Sequence, residues 1–187
     1  MFRFVILFAA VFVSCVYSQT QLTLPELPYA YNALEPVLSE RLLQLHHDKH
    51  FQFYTNQTNI ALKAMFNDTH NGGKLKELAQ LSIETLLSQL STLPEQFHIG
   101  LRHYGGGYLN HKLFFQMLKA PTATAAENRP TGELLKAIEE SFGSFDKLQE
   151  LFSVAAVSLF GSGWVWIYID ARTKHIVLNY TANQDNP

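Results

Sequence analysis

His46, His50 and Tyr54 are spaced four apart within Leu43-Gln-Leu-His-His-Asp-Lys-His-Phe-Gln-Phe-Tyr54. On an α-helix, side chains four apart lie on one face. Two imidazoles and a phenol then point the same way, a convergence that metal ligation and proton donation both need. A core helix with hydrogen-bonded histidines has the same spacing, so this stretch alone leaves both readings open.

The chain around it can bury a real core. It has 187 residues, 47% of them hydrophobic, enough for one or two compact domains. A net charge of −2 with 16% charged residues excludes an electrostatic nucleic-acid binder and a disordered tail protein. The eight histidines fall at positions 46, 47, 50, 70, 98, 103, 111 and 175. No internal repeat or low-complexity segment is present.

The N-terminus reads as a signal peptide over residues 1–18. Arg3 is its basic start, and Phe4 to Val13 is an apolar run too short to span a bilayer. Val16-Tyr17-Ser18 places cleavage near Ser18–Gln19; an uncleaved anchor is the alternative. The expectation is an extracellular protein with no membrane partner. Cleavage removes Cys15, the only cysteine, so the mature chain has no disulfide and depends on packing, a metal or a partner. Sequons at Asn56, Asn67 and Asn179 agree with export, and Asn67 has the most loop-like surroundings.

Residues 19–119 read as a helical hairpin domain. Two prolines make residues 23–32 an extended arm that Tyr29 and Tyr31 can anchor. Ser39 is a plausible N-cap for a helix running to about Met65. Residues 67–73 are turn-rich. Leucine and isoleucine then recur at helical spacing from Leu75 to about Leu93, where Pro94 stops them. A second long helix spans Gln96 to Leu118 and contains Gly105-Gly-Gly107. Each glycine costs about 1 kcal/mol in a helix interior. The run is therefore a helix break, or a close approach that forbids side chains on the face carrying His111. Antiparallel packing of the two long helices would bring His46 and His111 together.

Residues 120–130 read as a linker, and residues 131–187 as an α/β domain. Thr131 and Ser144 start two helices, and Gly161-Ser-Gly163 ends the second. Trp164 to Ile169 and His175 to Tyr180 form a β-hairpin across a turn at 170–174. Two strands leave open edges, so this domain looks incomplete. The fold class expected is α+β: a long helical hairpin followed by an incomplete α/β domain.

Leu27-Pro-Tyr29, Ala33-Leu-Glu-Pro36, Leu45-His-His-Asp-Lys-His50, Gly105-Gly-Gly-Tyr-Leu-Asn-His111, Gly143-Ser-Phe-Asp146, Gly161-Ser-Gly-Trp164 and Asn183-Gln-Asp185 occur in that order. The ordered set resembles the manganese/iron superoxide dismutases over nearly everything after residue 18. The resemblance implies that superoxide is converted to oxygen and hydrogen peroxide by one-electron cycling of a bound metal, in a homo-oligomer. It makes His46 and His111 metal ligands. His50 and Tyr54 become the neighbours that line the substrate channel. Trp164 and Phe115 become pocket wall, Phe115 standing where the family commonly has tryptophan. Gln184 matches the glutamine that bonds metal-bound solvent in the manganese type. The iron type usually carries that glutamine where this chain has Gly107, so the pair favours manganese over iron.

The resemblance also raises a disagreement. The family takes two further ligands, an Asp and a His, from an Asp-x-Trp-Glu-His-Ala-Tyr-Tyr segment beyond the Asn-Gln-Asp strand. The sequence ends at Pro187 before any such segment. The expectation is a fragment of a secreted dismutase, or else a catalytically silent secreted protein that keeps the fold for binding or display. A true stop after Pro187 would leave little metal retention and no activity. A di-iron bundle is disfavoured because it calls for a Glu-x-x-His motif on each of two helices, and only Glu95-Gln-Phe-His98 has that spacing.

Overall fold

The computed structural model describes residues 21–70, 73–121 and 128–187. The proposed signal peptide, residues 1–18, and the middle of the linker lie outside them.

The first long helix starts where the Ser39 hydroxyl accepts from the Leu42 N–H at 3.2 Å, with Glu40 in the first turn. It runs through α1 (Glu40–Leu45), a π-helical turn (His46–Phe51) and α2 (Gln52–Asn67). The π turn carries the histidine stretch and was not anticipated from the spacing. The extended arm lies along this helix. The Asn59 carboxamide holds the Leu22 backbone N–H and C=O at 2.8 Å each. The Tyr29 hydroxyl donates to the Phe115 carbonyl at 2.8 Å, and the Tyr31 hydroxyl to Asp48 at 2.7 Å.

The leucine-rich segment is not one helix. It divides into α3 (Lys74–Leu78), α4 (Ile83–Ser88) and a 3-10 turn (Leu90–Thr92). Ser82 makes the division: its backbone is extended and its hydroxyl accepts from the Thr85 N–H at 3.2 Å, starting a new helix. A hydroxyl that bonds the backbone locally competes with helix continuation.

The second long helix starts after a 3-10 turn (Glu95–Phe97) with α5 (His98–Gly100). It continues through a π turn (Leu101–Gly105) into α6 (Gly106–Met117). The glycine run passes through it without a break. An added Cβ at Gly105 would press on Ile83, at Gly106 on the Gln184 carbonyl, and at Gly107 on the Tyr54 ring. Close packing is therefore the reason for the run. Phe51, Leu43, Met65, Leu86 and Leu101, all below 3% exposed, fill the space between the helices.

In the second half, α7 (Gly132–Phe142) packs on α8 (Phe145–Ser158), and both touch the hairpin of β1 (Gly163–Ile169) and β2 (Ile176–Ala182). Ser144 caps α8 by accepting from the Lys147 N–H at 3.0 Å. Thr131 occupies the cap position of α7, but its side chain makes no capping bond. The strands are antiparallel, pairing Trp164 with Thr181 and Trp166 with Asn179. Asp170 shapes their turn by accepting from the Arg172 and Thr173 N–H groups. A small core of Ile138, Leu148 and Ile176 joins helices to sheet.

Candidate metal centre

The two long helices bring His46 and His111 together, with ring centroids 5.1 Å apart and planes at 87°. Each imidazole comes from a different helix, so packing of the hairpin itself creates the pair. His111 is 1% exposed and His46 half-buried. Burial makes protonation costly. The His111 imidazole is pushed down to about 4, by burial first, against the opposing pull of its bond to Gly107. The pKa of His46 also lies below its ordinary value, again mainly through burial. Both rings are therefore neutral at pH 7, the form that ligates metal.

The His111 tautomer follows from its neighbour. Its Nδ1 lies 2.7 Å from the Gly107 carbonyl, which can only accept, so Nδ1 carries the proton and the Nε2 lone pair is free. A ligating histidine is usually oriented in this way. Phe51 and Tyr54 stack on the His111 ring at 5.8 and 5.0 Å, and the Trp164 edge meets it at 5.2 Å. Phe115 is 3% exposed and lies 5.1 Å from His46, so it walls the pair.

Gln184, just past β2, crosses from the second half of the chain to this pair. It is 7% exposed. Its Oε1 accepts from Trp164 Nε1 at 3.1 Å and from Asn110 Nδ2 at 3.4 Å. The same carboxamide acts on the Tyr54 phenol, whose pKa it lowers. Burial raises the Tyr54 pKa above its ordinary value, and the Gln184 bond only partly offsets this. The phenol stays protonated at neutral pH. His50 is exposed at the mouth, 5.2 Å from the Tyr54 ring and 5.1 Å from His111.

All seven residues singled out from the sequence thus lie in one neighbourhood. His47 points away, bonded to Asp48 at 2.7 Å and to the Pro25 carbonyl at 2.9 Å. Asp185 is held by Arg102. Sequence reasoning missed Asn110, which is 1% exposed and also bonds the Gln184 carbonyl at 3.2 Å. Its signal was an Asn inside a helix, where it is disfavoured unless a partner is at hand.

These residues fit a metal in kind: two neutral imidazoles, one oriented by a carbonyl, beside a buried carboxamide. Among the described residues no group of three or more His, Cys, Asp or Glu is disposed to hold a metal ion.

Residues 21–119 match the alpha-hairpin domain of the iron/manganese superoxide dismutases, and residues 130–187 match their C-terminal domain. The chain is 43% identical to "Superoxide dismutase [Mn]" of Thermus aquaticus, covering 88% of this chain and 73% of that one. It is 38% identical to "Superoxide dismutase [Fe]" of Raoultella planticola, over 88% of this chain and 86% of that one. It is 40% identical to "Superoxide dismutase [Mn] 1" of Leptolyngbya boryana, over 88% of this chain but only 60% of that relative's length. The chain belongs to the iron/manganese superoxide dismutase family.

Proposed function

We propose that this protein is an exported superoxide dismutase of the manganese type, acting as a homo-oligomer. The observation that carries the reading is the His46–His111 pair with Gln184 bonded beside it to Trp164 and Asn110.

His46 and His111 would hold the metal through neutral ring nitrogens. The metal would supply exchange of one electron with superoxide in each half of the reaction. Turning two superoxide ions into oxygen and hydrogen peroxide consumes two protons. Tyr54 keeps its proton because it is buried, and its hydroxyl meets the Gln184 amide. These two groups supply a path for protons, with His50 beside Tyr54 where solvent enters. Phe115, Phe51 and Trp164 exclude water from the rest of the pocket, which strengthens each polar contact inside.

Relatives bear both manganese and iron names, so the metal is argued from the pocket. A side chain at position 107 would collide with the Tyr54 ring, whereas Gln184 already fills the carboxamide position from the other side. That pairing supports manganese.

Parallel loading of the purified protein, expressed from its complete coding sequence, with manganese or iron tests the proposal, reading metal content and dismutation together. Turnover with manganese exceeding that with iron at equal metal content is expected. Turnover with iron alone overturns the metal assignment, and none with either overturns the activity for this chain. Export predicts chain in the culture medium with Gln19 at its N-terminus; retention in the cytosol rejects it. Light scattering of the same material reads the oligomer.

A further inference from the structure

We propose that Asn67 is the acceptor of an N-linked glycan; this rests on the export reading. Transfer to an Asn-x-Thr sequon requires the carboxamide and the hydroxyl two residues on to enter one transferase site together. The donor is an oligosaccharide linked through its anomeric carbon to a lipid pyrophosphate. A bond forms between Asn Nδ2 and that carbon, the carbon–oxygen bond to pyrophosphate breaks, and Nδ2 loses one proton. The lipid pyrophosphate leaves.

The three sequons present their side chains differently. Asn56 and Thr58 lie within α2, where residues two apart point to opposite sides. Asn56 is exposed, but Thr58 is 0% exposed and its hydroxyl donates to the Tyr54 carbonyl at 2.7 Å. Asn179 and Thr181 share a face of β2, but the Thr181 hydroxyl donates to the Asp185 carbonyl at 2.7 Å and accepts from Trp166 Nε1 at 2.8 Å. Freeing either hydroxyl means unfolding a helix or stripping an edge strand.

At Asn67 the helix ends. Asp68 is extended, with φ −71° and ψ 121°, and its side chain turns inward to meet the Gln96 amide at 3.0 Å and the His70 N–H at 2.9 Å. Asn67 and Thr69 are both exposed. The site also stands clear of the histidine pair, about 30 Å along the helix from His46 at about 1.5 Å per residue. A glycan there leaves the pocket open.

The full chain is expressed in glycosylating eukaryotic cells behind its own residues 1–18 and, in parallel, behind an established leader. Secreted protein is treated with an amidase that converts glycosylated Asn to Asp in heavy-oxygen water, and peptides are weighed. One amidase-sensitive mobility step with the mass mark at residue 67 is expected. Asn67→Gln and Thr69→Ala each remove the step, while Asn56→Gln and Asn179→Gln keep it. Exported chain without a mark at residue 67, or with equal marking at Asn56 or Asn179, overturns the proposal. Export and marking behind the established leader alone upholds the acceptor and rejects the native export signal.

Discussion

Gly107 lies against the ring of Tyr54 so closely that even a methyl group would overlap the ring carbons. The backbone of one long helix is thus in contact with the proton-bearing side chain of the other. That contact fixes where the phenol stands relative to His111, whose ring stacks on Tyr54 at 5.0 Å.

Gly107→Ala is expected to destabilise the fold by about 1–3 kcal/mol, the usual result of overpacking a filled core. The helical glycine-to-alanine gain of about 1 kcal/mol works in the opposite direction and is smaller than a clash with a ring on a packed helix. Urea denaturation reads the difference. Unchanged or raised stability would show that Tyr54 can yield.

Gln184→Leu removes the acceptor of the Trp164 indole N–H and one of two acceptors of Asn110, which keeps its bond to the backbone carbonyl of residue 184. Leaving a buried donor unpaired costs about 1–3 kcal/mol. Trp164→Phe deletes a single donor while keeping a ring against His111, and about 1 kcal/mol is expected. Denaturation midpoints of the two variants should fall in that order, and the reverse order would place the weight on the indole instead.

The metal-free protein should lose stability in acid through His111. Its folded pKa of about 4 lies below the ordinary histidine value of 6.5 because burial penalises the charged ring. The unfolded chain therefore takes up the proton first. The contribution is complete above pH 6.5 and declines as pH falls towards 4, by about 3 kcal/mol at most. Thermal unfolding between pH 7.5 and 4 follows it, and His111→Gln should flatten the profile in that window.

Arg102 and Asp185 form a two-pronged ion pair, with bonds of 2.6 and 2.5 Å. Hydrogen bonding to Arg102 holds the Asp185 carboxyl below the usual carboxylate range. Its stabilisation is present above that range and lost as pH falls through the lowered value. The arginine is largely exposed, so Arg102→Ala should cost about 0.5–1 kcal/mol, and added salt should shrink the effect. A salt-independent loss would point to packing of the arginine stem.

Legibility of the molecule in its sequence followed how local each signal was. Ser39 and Ser144 announced their helices because a hydroxyl cap acts within three residues. Ser82 carried the same signal inside an unbroken leucine rhythm, and the rhythm hid the break that the hydroxyl makes. The π turn at His46–Phe51 left no mark, since an i, i+4 pattern suits both helix types. His46 and His111 could be paired on paper because a helical hairpin has few ways to pack. Asn110 could not, because its partner Gln184 arrives from a separate strand and only the folded chain shows the meeting.

The position of Gln184 just past β2 has a further consequence. β2 is held by the small core of Ile138, Leu148 and Ile176, whereas the long helices share a much larger one, so β2 opens locally more readily than they do. Each such opening withdraws the carboxamide from Tyr54, Trp164 and Asn110 while the histidine pair, held by the helices, stays in place. The pocket thus has two lifetimes: a durable one for its imidazole pair and a shorter one for its carboxamide. Hydrogen exchange at β2 would report the second.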